Sequence, residues 1–215
     1  MLQKHAVLRC YSLLTQPAEP GPSARFRGDA PPEPEVEIGE MNAAEAADLA
    51  RDPDVMAMAP VMPIALIAPF EEPSVEAATT AWGISAVGAD ATAYSGVDTK
   101  VAVLDTGIDA AHPAFAGMSL TERDFTGTGS GDGNGHGSHC AGTVFGRDVD
   151  GTRIGVARGV REALIGKVLG DDGGGSSEMI FSAISWAAEQ GAEVISMSLG
   201  FDFPGMVARL VAQGW

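Results

Sequence analysis

The chain is 215 residues long, enough for one medium domain and a smaller appendage, and 45% of it is hydrophobic, so a sizeable core can form. A net charge of −16 sets up a field that repels nucleic acid and anionic membranes and excludes both as partners. With 28 glycines and 6% aromatics, the composition favours a closely packed α/β protein rich in turns over an all-helical one.

Two cysteines, Cys10 and Cys140, are too few for a disulfide framework, and their dissimilar surroundings predict two free thiols. Lys4, His5 and Arg9 interrupt the first residues, so no apolar core of a secretory signal is expected, and no stretch approaches the length of a membrane span. The expectation is a soluble, cytoplasmic protein, with secretion left open should the start be misplaced. Residues 4–14 predict a strand. Pro17, Pro20, Pro22, Pro31, Pro32 and Pro34 follow, and proline at that density predicts a disordered insert over 16–35. EVEIGEM (35–41) alternates as a half-buried strand does, and Asn42 is placed to cap a helix over 43–51 that ends at Asp52-Pro53. DVMAMAPVMPIALIAP is then extended. These elements predict a small α+β unit over residues 1–70, followed by an acidic linker over 71–81.

A second domain is expected over 82–215. KVAVLDTG (100–107) predicts a buried strand entering a glycine turn. HGSHCAGTVFG (136–146) predicts a helix that only close tertiary packing can sustain, because Gly137 and Gly142 lie inside it. REALIGKVL (161–169) is the next strand. Ser176 or Ser177 is placed to cap a helix running to Gln190, with Met179, Ile180, Ala183, Ile184 and Ala187 on one face and Gly191 as its stop. AEVISMSL (192–199) reads as another buried strand. Strand, helix, strand with near-continuous apolar strands implies a parallel sheet.

Catalytic groups in such sheets gather at the carboxyl ends of the strands. Asp105 stands at one, where the turn amides of Thr106 and Gly107 could hold its carboxylate. His136 falls at a helix start after a glycine-rich approach, placed to offer one ring nitrogen to Asp105 and the other to a nucleophile. A simple turn-capping Asp is the plainer reading of Asp105 alone. A zinc site from His136, His139 and Cys140 is the competing reading of the second block; it lacks a further Cys or His pair.

VAVLDTGID followed by DGNGHGSHCAGTV resembles the first two catalytic motifs of the subtilases, the peptidase S8 family of subtilisin-like serine proteases. VISMSLG resembles the family's strand beside the primary specificity pocket, which implies substrate-binding roles for Ser198, Leu199 and Gly200. VLGDDGGGSS resembles the edge segment that pairs with extended substrate, which implies Gly173 and Gly175. Cys140 is similar to the free thiol under the catalytic His in the proteinase K branch. The resemblance covers the chain from about Trp82 onward and implies a parallel-sheet, three-layer subtilisin-like α/β domain, truncated here. It further implies a serine endopeptidase with Asp105 and His136 catalytic, acting on a polypeptide bound as an extended strand. More weakly, residues 1–70 resemble an inhibitory prodomain, which implies that the N-terminal unit is an intramolecular inhibitor; the expected cut lies between Ala68 and Thr80. No cofactor is expected. Calcium is common in the family, but Asp148 and Asp150 are far short of a shell, and no metal ligand is assigned.

A nucleophilic Ser in a GTSMA-like turn and an Asn donor for the oxyanion are both missing, and the contexts of Ser130, Ser138, Ser176, Ser177, Ser185 and Ser198 do not suit. The expectation is therefore the front part of a protease, inactive as an isolated fragment. Two alternatives stand beside it: a non-catalytic, peptide-binding pseudoprotease module, and an aspartic peptidase built on the single DTG at Asp105, which would need a second carboxylate.

Overall fold

The computed structural model describes residues 2–9, 35–67 and 79–212. The chain divides into two compact units, Met1–Val61 and Met62–Trp215. Cys10 and the proline-rich segment lie outside the described residues, as do residues 10–14 of the first expected strand.

In the first unit, β1 (Gln3–Arg9) is the middle strand, paired antiparallel with β2 (Glu35–Met41) on one edge and β3 (Val55–Pro60) on the other. Ala6, Val7 and Met41 are buried. Helix α1 (Ala43–Leu49) begins at Asn42, whose side chain accepts from the amides of Ala44 and Glu45. Glu45 reaches back to the Asn42 amide at 2.8 Å, completing a capping box that satisfies otherwise orphaned amides. The Arg9 guanidinium lies 2.9 Å from both Glu37 and Asp52, and these two carboxylates hold its proton more firmly than usual.

The second unit begins with β4 (Pro63–Leu66) and the short helix α2 (Trp82–Ala86). Then come β5 (Val101–Asp105), β6 (Ser119–Asp124), α3 (His136–Phe145), β7 (Glu162–Lys167), β8 (Gly174–Ser176), α4 (Ser177–Glu189), β9 (Val194–Ser196), β10 (Leu199–Phe201) and α5 (Phe203–Ala212). The expectation ended the first unit near residue 70; Pro63–Leu66 instead clusters with the second. Strands β6, β7, β5 and β9 form one parallel sheet in that order. All of β5 is buried, and its side chains alternate between two cores. Val101 and Val103 join Ile108, Ala141 and Phe145 on the α3 side. Leu104 meets Ile180 and Ala183, and Ala102 meets Trp186 and Ala187, on the α4 side. Helix, sheet, helix are the three layers that the resemblance implied, around the parallel sheet that the apolar pattern predicted. Asp105 continues the odd-numbered face of β5, toward α3.

Three details differ from expectation. The apolar run 192–199 breaks at Met197–Ser198, so β9 ends after three residues and β10 belongs to another sheet. Val194 is half-exposed because β9 is an edge strand of the described parallel sheet. Ser176 stands at the cap of α4 without making a side-chain capping bond. Ser177 is used elsewhere: its hydroxyl accepts from the Met62 amide at 3.0 Å, and its own amide donates to the Met62 carbonyl at 2.8 Å. Among the described residues, no helix is long and apolar enough to cross a membrane.

Candidate active site

Asp105 ends β5 and is 1% exposed. Its Oδ1 accepts from the Thr106 amide at 2.7 Å and lies 2.7 Å from His136 Nδ1. Its Oδ2 is buried without a hydrogen-bond partner. Of the two turn amides expected to hold the carboxylate, that of Thr106 does so. Gly107 instead supplies a positive φ of 110° and a bare α-carbon against the Gly131 carbonyl.

The imidazole arrives from α3, whose poor helix formers now have a reason. A methyl group on Gly137 would fall inside the Gly107 carbonyl, so the first turn of α3 can lie this close to the end of β5 only with glycine there. Asp132 ties the approach loop down. Its carboxylate accepts from the Thr106 hydroxyl (2.8 Å), the amides of Asn134 (3.2 Å), Gly135 (2.8 Å) and Ser138 (2.8 Å), and the Ser138 hydroxyl (2.7 Å). Burial alone would raise Asp132; the bonds from Ser138, Gly135 and Thr106 outweigh it and hold the carboxyl below its ordinary value. The sequence reading placed His136 but not this anchor, although Asp132 lies inside the quoted loop.

Cys140, one helical turn beyond His136, puts its sulfur 3.7 Å from Nδ1 and 3.9 Å from Nε2, against the imidazole. It is a free thiol, and burial pushes it up. The zinc reading had joined His136, His139 and Cys140. The structure gathers Asp105, His136 and Cys140 within 4.8 Å, while His139 is exposed and shares a separate cavity with His112 and Thr143. Within that trio Nδ1 is engaged by Asp105, and three donors fall one short of the four that a structural zinc takes. Of the two acids considered for calcium, Asp148 is engaged by an arginine: it is bonded to Arg158 at 3.0 Å, and the carbonyls of Phe145, Arg158 and Val160 accept from the Arg147 guanidinium.

The five residues that the resemblance assigned to substrate binding surround one strand. That strand is β4, sandwiched antiparallel between β10 and β8. Leu199 pairs with Leu66, Gly200 with Ala65, and Gly175 with Ile64. The Leu66 amide donates to the Gly173 carbonyl at 3.2 Å, and the Ile67 amide to the Ser198 carbonyl at 3.3 Å. A Cβ on Gly173 would meet Leu66 at 2.7 Å, and one on Gly175 would fall inside the Val168 carbonyl. The Ile67 carbonyl then lies 3.3 Å from His136 Nε2. An extended segment gripped on both edges thus ends with its carbonyl on the ring nitrogen that faces away from Asp105. Sequence reading saw this segment as extended, but the partners of β4 lie over a hundred residues downstream, beyond any local pattern.

Residues 96–213 match the family model described as the Subtilase family, over half of the chain. Over 112 residues the chain is 43% identical to the major intracellular serine protease of Bacillus subtilis (strain 168), an overlap of 49% of this chain and 35% of that protein. It is 42% identical over 130 residues to subtilisin DY of Bacillus licheniformis, covering 58% of this chain and 46% of the relative. Thermitase of Thermoactinomyces vulgaris is 35% identical over 107 residues, 49% of this chain and 38% of its own length. The chain therefore spans between a third and a half of the length of these curated relatives.

Proposed function

From the premise that the chain belongs to the subtilase family, a family of serine peptidases, we propose that it is the front part of an endopeptidase that cuts extended polypeptide with an Asp–His–Ser triad. The observation that carries this reading is the 2.7 Å contact between Asp105 Oδ1 and His136 Nδ1, with a main-chain carbonyl 3.3 Å from Nε2. Asp105, buried and aimed at Nδ1, holds the imidazole in the tautomer whose Nε2 is a base and stabilises the imidazolium that forms. Nε2 takes the proton of a serine hydroxyl lying outside these 215 residues. That serine attacks the peptide carbonyl, His136 returns the proton to the leaving amine, and water releases the acyl group. Substrate lies between Gly173–Gly175 and Ser198–Gly200, where main-chain bonds give affinity and bare glycines permit close approach. In this reading no metal or organic cofactor takes part.

The position of β4 supports a second element of the reading. The chain's own segment before Ile67 holds the groove, so the N-terminal part acts as an intramolecular inhibitor until it is displaced or cut. A place inside the cell also belongs to this reading; it is supported by two similar proteases whose names call them intracellular. The pseudoprotease alternative is favoured by the same occupied groove. The aspartic peptidase alternative has less support, since the partner of Asp105 is an imidazole and not a second carboxylate.

Expressed from its complete gene, the protein is expected to hydrolyse a generic peptide, to be stopped by serine-directed reagents, and to lose about 10⁴-fold in turnover on Asp105→Asn. The 215-residue chain alone is expected to show no hydrolysis. Hydrolysis by that chain, lost on His136→Ala, would overturn its inactivity. Inhibition by pepstatin would move the assignment to the aspartic class.

A further inference from the structure

Lys167 has no part in the chemistry above, yet it is 4% exposed, and burying an ammonium is costly unless every proton finds a partner. Here each one does. Nζ donates to the Thr106 carbonyl at 2.7 Å, to the Gly131 carbonyl at 3.2 Å and to Asp171 Oδ1 at 2.6 Å. These acceptors belong to three separate segments. Thr106 follows Asp105 and donates its amide to it. Gly131 lies on the loop that delivers His136. Asp171 opens the segment whose Gly173 carbonyl accepts from Leu66.

Asp171 extends the connection. Its Oδ1 also accepts from the Gly133 amide at 3.2 Å, and its carbonyl accepts from Asn134 Nδ2 at 2.9 Å. Lys167 pairs in register with Asp105 on one side of β7 and with Asp124 on the other, so the sheet itself fixes where the ammonium stem starts. The loop before His136 is short of such support. Over Gly131–His136 its internal bonds run mainly to Asp132, and its ties to neighbouring segments include the Thr106 hydroxyl, Lys167 and Asp171.

We infer that Lys167, acting through the Thr106 and Gly131 carbonyls and through Asp171, is a positioning residue that holds the Asp105 turn, the His136 loop and the strand-binding edge in one register. It touches no reacting atom; it sets the spacing between the groups that do. The inference rests on the reading of Asp105 and His136 as the working pair, but it is tested without hydrolysis.

The readout is the low-field proton resonance of His136 Nδ1–H in the 215-residue chain, assigned by its disappearance in His136→Gln. Lys167→Met is expected to lose this resonance to solvent exchange while the backbone amide spectrum remains that of a folded chain. Asp171→Asn leaves the ammonium in place and is expected to broaden the same resonance without abolishing it. A merely structural role would lower the melting temperature and leave the resonance unchanged well below it. Both variants folded with an unaltered resonance would overturn the inference. Should Lys167→Met fail to fold, Asp171→Asn decides alone: an unaltered resonance overturns the inference, a broadened one supports it. Absence of the resonance from the unmodified chain would remove the Asp105–His136 bond and with it both readings. Failure of the complete gene product to hydrolyse peptides would remove only the protease reading.

Discussion

In the parallel sheet, β5 runs for five residues with every side chain buried; in the antiparallel sheet, β4 runs for four with only Ile64 buried. The first sheet is held by its interior. Leu104 alone, fully buried, contributes about 2 kcal/mol of apolar burial, and its neighbours on both faces contribute similarly. The second sheet joins three short segments distant in sequence, two of them offering glycine; beside its main-chain bonds, Ile64 with Leu66 and Leu199 is what it adds to the core that holds Leu104. The difference separates two ways of holding a strand: the parallel sheet buries β5 up to Asp105, while the antiparallel one pairs the mostly half-buried β4 on both edges.

The strongest attempt to break that contrast is Leu104→Ala. It should cost roughly 2–5 kcal/mol of global stability by leaving a cavity between β5 and α4, measured by denaturant unfolding. Next in size is Gly175→Val, whose Cβ would fall inside the Val168 carbonyl and press on Ile64. A cost of about 1–3 kcal/mol is expected, concentrated on β4. Hydrogen exchange at the Leu66 and Ile67 amides should accelerate while the β5 amides stay protected. Equal acceleration in both sheets would erase the distinction.

Acid offers a gentler probe. Asp132 is held below its ordinary value, 3.8, so its contribution is fully present above that pH and fades as pH falls through the lowered value. The melting temperature of the unmodified chain should therefore drop more steeply in this range than that of Asp132→Asn. The smallest effect is a baseline outside both sheets. Asn42→Ala removes the α1 cap at a cost of about 1 kcal/mol and should leave exchange at both β4 and β5 unchanged.

Legibility in the sequence follows the same division. Strands β5 and β7 and helix α4 are long apolar patterns whose burial can be read locally, and Asp105 follows from standing at the end of one of them. His136 followed from its glycine-rich block, and Gly173, Gly175 and Ser198–Gly200 followed from resemblance. What escaped depends on partners remote in the chain. PIAL carries no sign that its neighbours are 174–176 and 199–201. Lys167 looks like an ordinary charge closing a strand, because nothing local reveals that two carbonyls and Asp171 converge on it. Ser177 reads as a cap, and only the arrival of Met62 makes it a clasp. The division of the run 192–199 likewise depends on β10 finding β4.

One feature of α3 limits how this protein can be improved. Alanine in place of Gly137 is the change that helix propensity would recommend first, worth up to about 1 kcal/mol in an exposed helix. Here the added methyl would collide with the Gly107 oxygen and wedge the helix away from the strand end. A lift of even one ångström would stretch the 2.7 Å imidazole–carboxylate contact beyond hydrogen-bonding range. The height of the imidazole above the sheet is gauged by a missing carbon, and a sturdier helix would be bought with a misaligned base.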